Sequence, residues 1–504
     1  MRRPSGGAAA TIAALGGIVL ASIALRWPGF TQGGFANHDV AGILYNAMLL
    51  CDGALPYVDS IELKAPGTFY LAALLAGPEG RDIAAFQGWA NAWAITSLIA
   101  VAAIGWRLWG RRAAVIAAAV YGLGDAFLDS MDANYVTWAQ LPQILAMAAA
   151  LAALRAPTAA TGRWALAGAL AGAATLCKQP DGAVLLPIVM MAGAAGGGAG
   201  RERARAVAAA LAGFVLAHLP IVAHYALAGG LDALIRGYFL SEWGAAYIAR
   251  RAQVGPWIGL REAGLATVYF LALPLFLALW TGLSGQVRGR RDPIPWLWAW
   301  FLATLLAASV GLRFYKGYFV AAAPPLALLA AAPGGLLRGP GRRWIRAIGL
   351  ALAGLLTIRA LALELDVRAD RGRAHDRGGR AIAAYIADRS APDDRIWVWG
   401  WHLWDVYPLA GRRSGSRIYK SLGLLSTINE DTWRTPAAPL RMAEGSPYPA
   451  LLIADLEASR PRYIALGSTV PRDQFTALRE LLARDYVRDR GLRVGRVELW
   501  RRRE

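Results

Sequence analysis

Between Thr11 and about Leu361 the chain is a succession of apolar runs, and a run of roughly 20 apolar residues carries an α-helix through a bilayer about 30 Å thick. Such runs lie near 8–26, 83–107, 112–128, 138–154, 164–177, 181–196, 206–225, 263–283, 295–312, 317–332 and 344–362. The shorter ones borrow flanking residues to reach spanning length, and only Lys178-Gln179-Pro180-Asp181 separates the fifth from the sixth. In lipid a backbone N–H or C=O finds no water, so segments that cross must satisfy their own hydrogen bonds. The pattern therefore predicts an α-helical polytopic membrane protein with about eleven transmembrane helices.

From Glu364 to Glu504 the sequence reads like a soluble domain, which places a boundary near residue 362. A transmembrane domain is expected over 1–362 and a soluble α/β domain over 363–504, and a tail of roughly 140 residues is long enough to bury its own core. Arg380 to Arg389 has a helical pattern, and Arg395 to Gly400 reads as a buried strand after a Pro-Asp-Asp turn. Leu451-Leu452-Ile453, Tyr463 to Gly467 and Val494 to Trp500 are read as further strands, with a helix over Gln474 to Ala483 between the last two.

A net charge of +19 would point to nucleic acid in a soluble protein. Here much of the excess occupies short loops between apolar runs, where Lys and Arg set orientation instead. With a cytoplasmic N-terminus, the cytoplasmic loops hold Arg107/Arg111/Arg112, Arg155/Arg163, Arg201/Arg203/Arg205, Arg288/Arg290/Arg291 and Arg338/Arg342/Arg343, and each of them is basic. Residues 28–82, 129–137, 178–181, 226–262, 313–316 and the tail fall on the other side. The partners expected are thus membrane lipids and not nucleic acid, with the tail outside the cytoplasm. The run Ala8–Leu25 continues into Arg26-Trp27 without a small-residue cleavage site, and is read as an uncleaved first helix. Cys51 and Cys177 are far apart and lack metal-ligand spacing, which argues against a disulfide framework or zinc site. No solenoid repeat and no pair of inverted halves is visible.

The stretch 28–82 carries a helical pattern too short to span. His38 to Leu50 has apolar residues at helical spacing, with Asn37 placed to cap it and Gly53 to end it. A helix lying at the membrane interface is expected there, and a second from Pro66 through Tyr70 to Leu75. Ionisable side chains at membrane depth are functional candidates because their desolvation has to be compensated. Those assigned to the outer side are Asp39, Asp52, Asp59, Glu62, Lys64, Asp125, Asp129, Asp132, Lys178 with Asp181, Arg236 with Glu242, and Arg313 with Lys316. Asp125, Asp129 and Asp132 are read as a solvated or capping cluster, and Trp243 and Trp257 as interfacial belt residues.

His38-Asp39, Gly53-Ala54-Leu55-Pro56-Tyr57-Val58-Asp59 and Leu63-Lys64-Ala65-Pro66-Gly67-Thr68-Phe69-Tyr70 together resemble the first-loop signature of family 39 glycosyltransferases. That family groups protein O-mannosyltransferases with aminoarabinose transferases of lipid A and bacterial relatives. Cys177-Lys178-Gln179-Pro180, the run Arg313-Phe314-Tyr315-Lys316-Gly317-Tyr318-Phe319, the following Pro324-Pro325 segment and the tail's Pro392 to Trp401 resemble the bacterial branch. Val40 stands where relatives often carry Glu, Ala65 replaces the first of two prolines, and Gly317 replaces a frequent His. Thr137 and Gln140 lie where some relatives carry Glu.

The resemblance implies a C-type glycosyltransferase fold and transfer of a sugar from a polyprenyl-phosphate-linked donor to a lipid, polysaccharide or protein acceptor outside the cytoplasm. Asp39 matches the position of the general base, since attack by an acceptor hydroxyl on an anomeric carbon needs a carboxylate to take the proton. Lys64, Lys178, Arg313 and Lys316 are the cations expected at the departing phosphate, with His38, Tyr57, Asp59 and Glu62 in support. A basic pocket suffices for a phosphate leaving group, so no cofactor is expected, and no close acidic pair argues for a divalent metal. Two other readings use the same residues: a transporter or flippase of a lipid-linked sugar, and an inactive carrier-binding assembly subunit.

Overall fold

The computed structural model describes residues 6–31, 38–128, 130–156, 161–195, 200–244, 248, 254–284, 291–333, 343–374, 377–400, 403–421, 423–427, 432–435 and 438–504. Asn37, Asp129 and the ring of Trp243 lie outside the described residues.

Every expected apolar run is helical over at least half its length. The first helices are α1 (Gly6–Thr31), α2 (His38–Cys51), α3 (Gly67–Leu75), α4 (Ile83–Trp109), α5 (Arg111–Asp125), α6 (Tyr135–Leu154), α7 (Thr161–Cys177), α8 (Leu185–Ala194) and α9 (Gly200–Leu227). The remaining apolar helices are Pro256–Ser284, Pro293–Ala308, Ala323–Ala330 and Arg343–Ala374. Among the described residues, five stretches are long and apolar enough to cross a membrane: Gly7–Trp27, Ile83–Trp109, Tyr135–Leu154, Gly200–Leu227 and Pro256–Trp280. Three shorter apolar helices, Pro293–Ala308, Lys316–Ala330 and Ala347–Leu363, follow them. The run 181–196 forms less α-helix than expected because Pro180 stands at the head of a 3₁₀ segment, Gln179–Val184, that delays the helix to Leu185.

The chain divides into two compact units that do not follow chain order. One is Met1–Thr31, Gln87–Pro220 and Val254–Arg368; the other is Gln32–Phe86, Ile221–Gln253 and Ala369–Glu504. In the first unit α6 packs on α7, α1 on α5, and Pro256–Ser284 on Ala323–Ala330. Where α7 meets α9, glycine sets the distance. A Cβ on Gly168 would stand 1.8 Å from the Ala210 carbonyl oxygen, and one on Gly213 would stand 1.9 Å from that of Ala165. Apolar side chains gain nothing by leaving lipid for one another, so membrane helices associate through close backbone packing that small residues permit. Gly168→Leu should therefore push α7 off α9 and destabilise the fold by on the order of 3 kcal/mol. Thermal melting in detergent checks this, with Gly193→Ala as the control, since a Cβ at Gly193 meets nothing within 4 Å.

The second unit is built around a four-stranded sheet in the order β1-β2-β4-β3, with β1 Ile396–Trp399, β2 Tyr463–Leu466, β3 Tyr486–Asp489 and β4 Glu498–Arg502. β1 and β2 are parallel and the other two pairings antiparallel. Trp397, Trp399, Ile464 and Leu466 form one core with Leu452, Leu456, Leu478, Leu481 and Leu482. Leu451-Leu452-Ile453, expected as a strand, is instead part of the helix Tyr448–Ser459. Leu452 and Leu456 are buried four residues apart, a helical repeat that a three-residue apolar run cannot reveal by itself. β3 was not expected; its Tyr486 is buried, but Val487 and Arg488 are exposed, so it lacks a recognisable apolar alternation.

Ile61 joins the same core, and its N–H donates to the Arg417 carbonyl at 2.7 Å. One buried isoleucine thus pins the chain between α2 and α3 to the tail. α2 is packed within this unit along nearly its whole length, with His38 and every residue from Val40 to Leu49 buried. An apolar pattern at helical spacing does not distinguish a helix covered by protein from one resting on lipid.

Candidate functional site

In the second unit the site begins at the first turn of α2. Asp39, Gly42 and Asn46 are spaced three and four residues apart, which places them on one face of the helix. The turn that follows is held from several sides. Tyr57 has φ of 67°, a left-handed conformation that bulky residues rarely adopt. Its hydroxyl donates to the Lys64 carbonyl, and Asp59 Oδ2 accepts the Leu55 N–H at 2.8 Å. Tyr225 donates to the Pro56 carbonyl at 2.9 Å. Tyr57 and Asp59 therefore shape the backbone that carries Lys64. A strained residue persists only where its surroundings over-determine it.

Lys64 Nζ lies 3.5 Å from Asp39 Oδ2, and both side chains are about one-third exposed, at 31% and 37%. They form the accessible edge of the cluster. Behind them Glu62 has no exposed side-chain surface. Its Oε1 accepts the N–H groups of Leu63 at 2.7 Å and Lys64 at 3.1 Å. Lys420 Nζ donates to both carboxylate oxygens, at 2.7 and 2.5 Å. Tyr419 donates its hydroxyl to Oε2, and Asn46 Nδ2 approaches the same oxygen at 3.5 Å. Gly42 lets these groups reach the helix, since a Cβ there would stand 3.1 Å from the Tyr419 hydroxyl and 3.7 Å from Lys420 Nζ. His38 packs edge-on against Trp404, with ring centroids 6.0 Å apart, and its carbonyl accepts the Trp404 indole N–H at 2.7 Å.

Burial alone would raise the Asp39 pKa, but the ammonium groups of Lys64 and Lys420, with the hydrogen bond from Lys64 and the charge of His38, hold it below 3.8. A carboxylate depressed in this way stabilises the folded chain above its unfolded value, and that contribution is lost only as pH falls through the lowered folded value. Asp39 is ionised at neutral pH. It accepts a proton readily only from a group whose own acidity rises during reaction, as an attacking hydroxyl's does.

The first unit holds the other basic candidates. Lys178 Nζ pairs with Asp181 Oδ1 at 3.0 Å, both side chains being largely buried, and lies 5.5 Å from the centroid of the Tyr318 ring. Arg313 is 3% exposed, and its Nη1 reaches the Tyr315 hydroxyl at 3.5 Å. It sits in a contorted stretch, with positive φ at Gly311, Leu312 and Phe314. Lys316 opens the 3₁₀ segment Lys316–Ala322.

Two readings from sequence need correction. Asp125 is not solvated: it is buried and paired with Arg26, whose guanidinium also donates to the Ser130 carbonyl and hydroxyl, each at 2.7 Å. A buried pair satisfied by further hydrogen bonds is a structural brace between α1 and the end of α5. Arg236 pairs with Asp232, one helical turn earlier, at 2.6 Å. Asp132 does act locally, accepting the Asn134 N–H at 3.2 Å. Trp257 is 80% exposed. Among the described residues no group of three or more His, Cys, Asp or Glu side chains is placed to hold a metal ion.

Tyr419 and Lys420 were not foreseen. The only signal for them is their place beside Ile418 in a buried segment of the tail, where charged residues are unusual unless paired.

No protein-family model matches the chain, and no curated protein matches it either. Solved structures do. ArnT from Cupriavidus metallidurans bound to undecaprenyl phosphate superposes with a TM-score of 0.58 at 13% identity, covering 96% of this chain and 97% of that one. The fold is that of a C-type glycosyltransferase. The same ArnT in the apo state gives a TM-score of 0.52 at 14% identity, covering 96% of each chain. The Archaeoglobus fulgidus oligosaccharyltransferase AglB, in complex with an inhibitory peptide and a dolichol-phosphate, gives 0.50 at 13% identity, covering 90% of this chain and 69% of that one. The fold and the apolar helices together make the chain a multi-pass membrane protein.

Proposed function

We propose that the chain is a glycosyltransferase that moves a sugar from a polyprenyl-phosphate-linked donor to an acceptor outside the cytoplasm. The observation that carries this reading is the Asp39–Lys64 pair, 3.5 Å apart at the accessible edge of a buried polar cluster. The fold supports it, because the ArnT neighbour binds undecaprenyl phosphate and the AglB neighbour a dolichol-phosphate and a peptide.

In this reading the acceptor hydroxyl oxygen attacks the anomeric carbon while its proton passes to the Asp39 carboxylate. The bond from that carbon to the phosphate oxygen breaks, and its electrons leave on the phosphate. The Lys64 ammonium stabilises the charge that grows there, an effect largest where water is excluded. Lys178, Arg313 and Lys316 are proposed as further donor-phosphate residues from the family resemblance, with the contorted Gly311–Phe314 stretch in support for Arg313. The tail domain, 363–504, is proposed to lie outside the cytoplasm of a bacterial inner membrane, with the N-terminus inside. A reporter fused after Glu504 should then be active only outside the cytoplasm, and one near Arg342 only inside.

Reconstitution with radiolabelled polyprenyl-phosphate sugars tests the reading. Loss of label from the carrier supports transfer. Movement of intact carrier sugar between leaflets supports a flippase, and saturable binding with the label unchanged supports an inactive assembly subunit.

A further inference from the structure

Glu62 is the most heavily engaged carboxylate of the cluster, and the mechanism above gives it no chemical step. Its side chain is fully buried, and two backbone N–H groups, a tyrosine hydroxyl and an ammonium group converge on it. A buried carboxylate stripped of its cation is strongly unfavourable and recruits whatever cation is nearest. Lys64 is tied to this carboxylate through its backbone, whose N–H donates to Glu62 Oε1 at 3.1 Å, while its side-chain ammonium faces Asp39 at 3.5 Å. Instead the cation on Glu62 comes from a residue 358 positions along the chain.

We propose that Lys420 is a positioning residue for the Asp39–Lys64 pair: by neutralising Glu62 it leaves the Lys64 ammonium directed at Asp39 and at the donor phosphate. This rests on the glycosyltransferase reading for its catalytic consequence. Geometry carries the rest. Lys420 Nζ holds both Glu62 oxygens and approaches α2 at Gly42, one turn from Asp39 on the same helical face. The Lys420 side chain is only 11% exposed, so water does little of the screening that would weaken it at a surface. Among the described residues, the charged and titratable groups around Asp39 include His38 on its own helix, Glu62 and Lys64 on the following loop, and Tyr419 and Lys420 on the tail. Lys420 thus supports Asp39 in two ways, through its own charge and through Lys64.

Three variants separate this role from a merely structural one: Lys420→Met, Lys420→Arg and the double variant Glu62→Gln/Lys420→Met. Lys420→Met should lower kcat/KM for a polyprenyl-phosphate sugar by about tenfold or more and move the acid limb of the pH–rate profile upward. Lys420→Arg should keep much of the activity. The double variant leaves no orphaned carboxylate, so it should recover activity relative to Lys420→Met. It also keeps the test decisive if the single variant fails to fold. The Asp39 midpoint, read by ¹³C NMR of carboxyl-labelled aspartate with Asp39→Asn assigning the line, should rise in Lys420→Met and return toward wild type in the double variant. A folded Lys420→Met with wild-type kcat/KM and an unmoved Asp39 midpoint would overturn the inference, as would a folded double variant no better than the single. Should the wild-type chain turn over no donor, the glycosyltransferase reading fails, and the Asp39 midpoints still decide whether Lys420 positions this pair.

Discussion

Asp39→Asn is expected to lower turnover by about 10²–10⁴-fold, the range over which positioned general bases contribute, while leaving binding of undecaprenyl phosphate close to wild type. The asymmetry follows from where the residue acts. A general base takes its proton in the transition state, so its loss falls on kcat rather than on ground-state binding. The amide is nearly isosteric with the carboxylate and keeps an oxygen toward the first turn of α2, so the helix should survive. Measuring rate, carrier binding and melting temperature on one purified variant separates catalysis from structure. If Asp39 merely favours the N-terminus of α2, turnover stays near wild type and only the melting temperature changes. Full activity would move the base elsewhere, with Asp59 and Asp132 next in line. Asp59 is tied to the Leu55 N–H and Asp132 to that of Asn134, so each would have to give up a local bond to act.

Lys64→Ala should reduce both rate and carrier binding, because a cation at the phosphate acts before departure as well as during it. Loss of one electrostatic contact of this kind typically lowers turnover by about 10²–10³-fold. Raising ionic strength should mimic part of the binding loss, since Lys64 is about one-third exposed. If Lys64→Ala leaves both quantities unchanged while Lys178→Ala and Arg313→Ala abolish them, the phosphate is held by the first unit's cations. Lys64 would then be an interface anchor whose stem packs on apolar surface while its ammonium stays wet.

Much of this architecture was legible because membrane helices are written in composition. A spanning segment has to be apolar along its length, and each of the eleven runs read from sequence does contain a helix. The loop signature was legible for a different reason. Tyr57 has to adopt positive φ, and the fixed spacing of Pro56, Tyr57, Asp59 and Lys64 is the local chemistry of one turn. What stayed hidden depends on tertiary contact. Lys420 meets Glu62 across 358 positions, and nothing in the residues around either announces the other. Arg26 and Asp125 stand at the ends of two apolar runs 99 positions apart, and only the packing of α1 on α5 makes them a buried pair instead of two solvated charges. The helix over Tyr448–Ser459 was misread because three apolar residues in a row fit a strand equally well. The division of the chain was also hidden, because Ile61 ties the loop between α2 and α3 to the tail's core.

If chemistry occurs at the anomeric carbon, the carrier departs on its phosphate, and the identity of the spent carrier tests this most directly. Mass spectrometry of lipids recovered after turnover by the wild-type chain in vesicles should show polyprenyl phosphate appearing in step with sugar lost from the donor, and this product should vanish with Asp39→Asn. Recovery of polyprenol, which requires breaking the carrier's own phosphate ester instead of the bond to the anomeric carbon, or of the intact donor in the opposite leaflet would contradict the account.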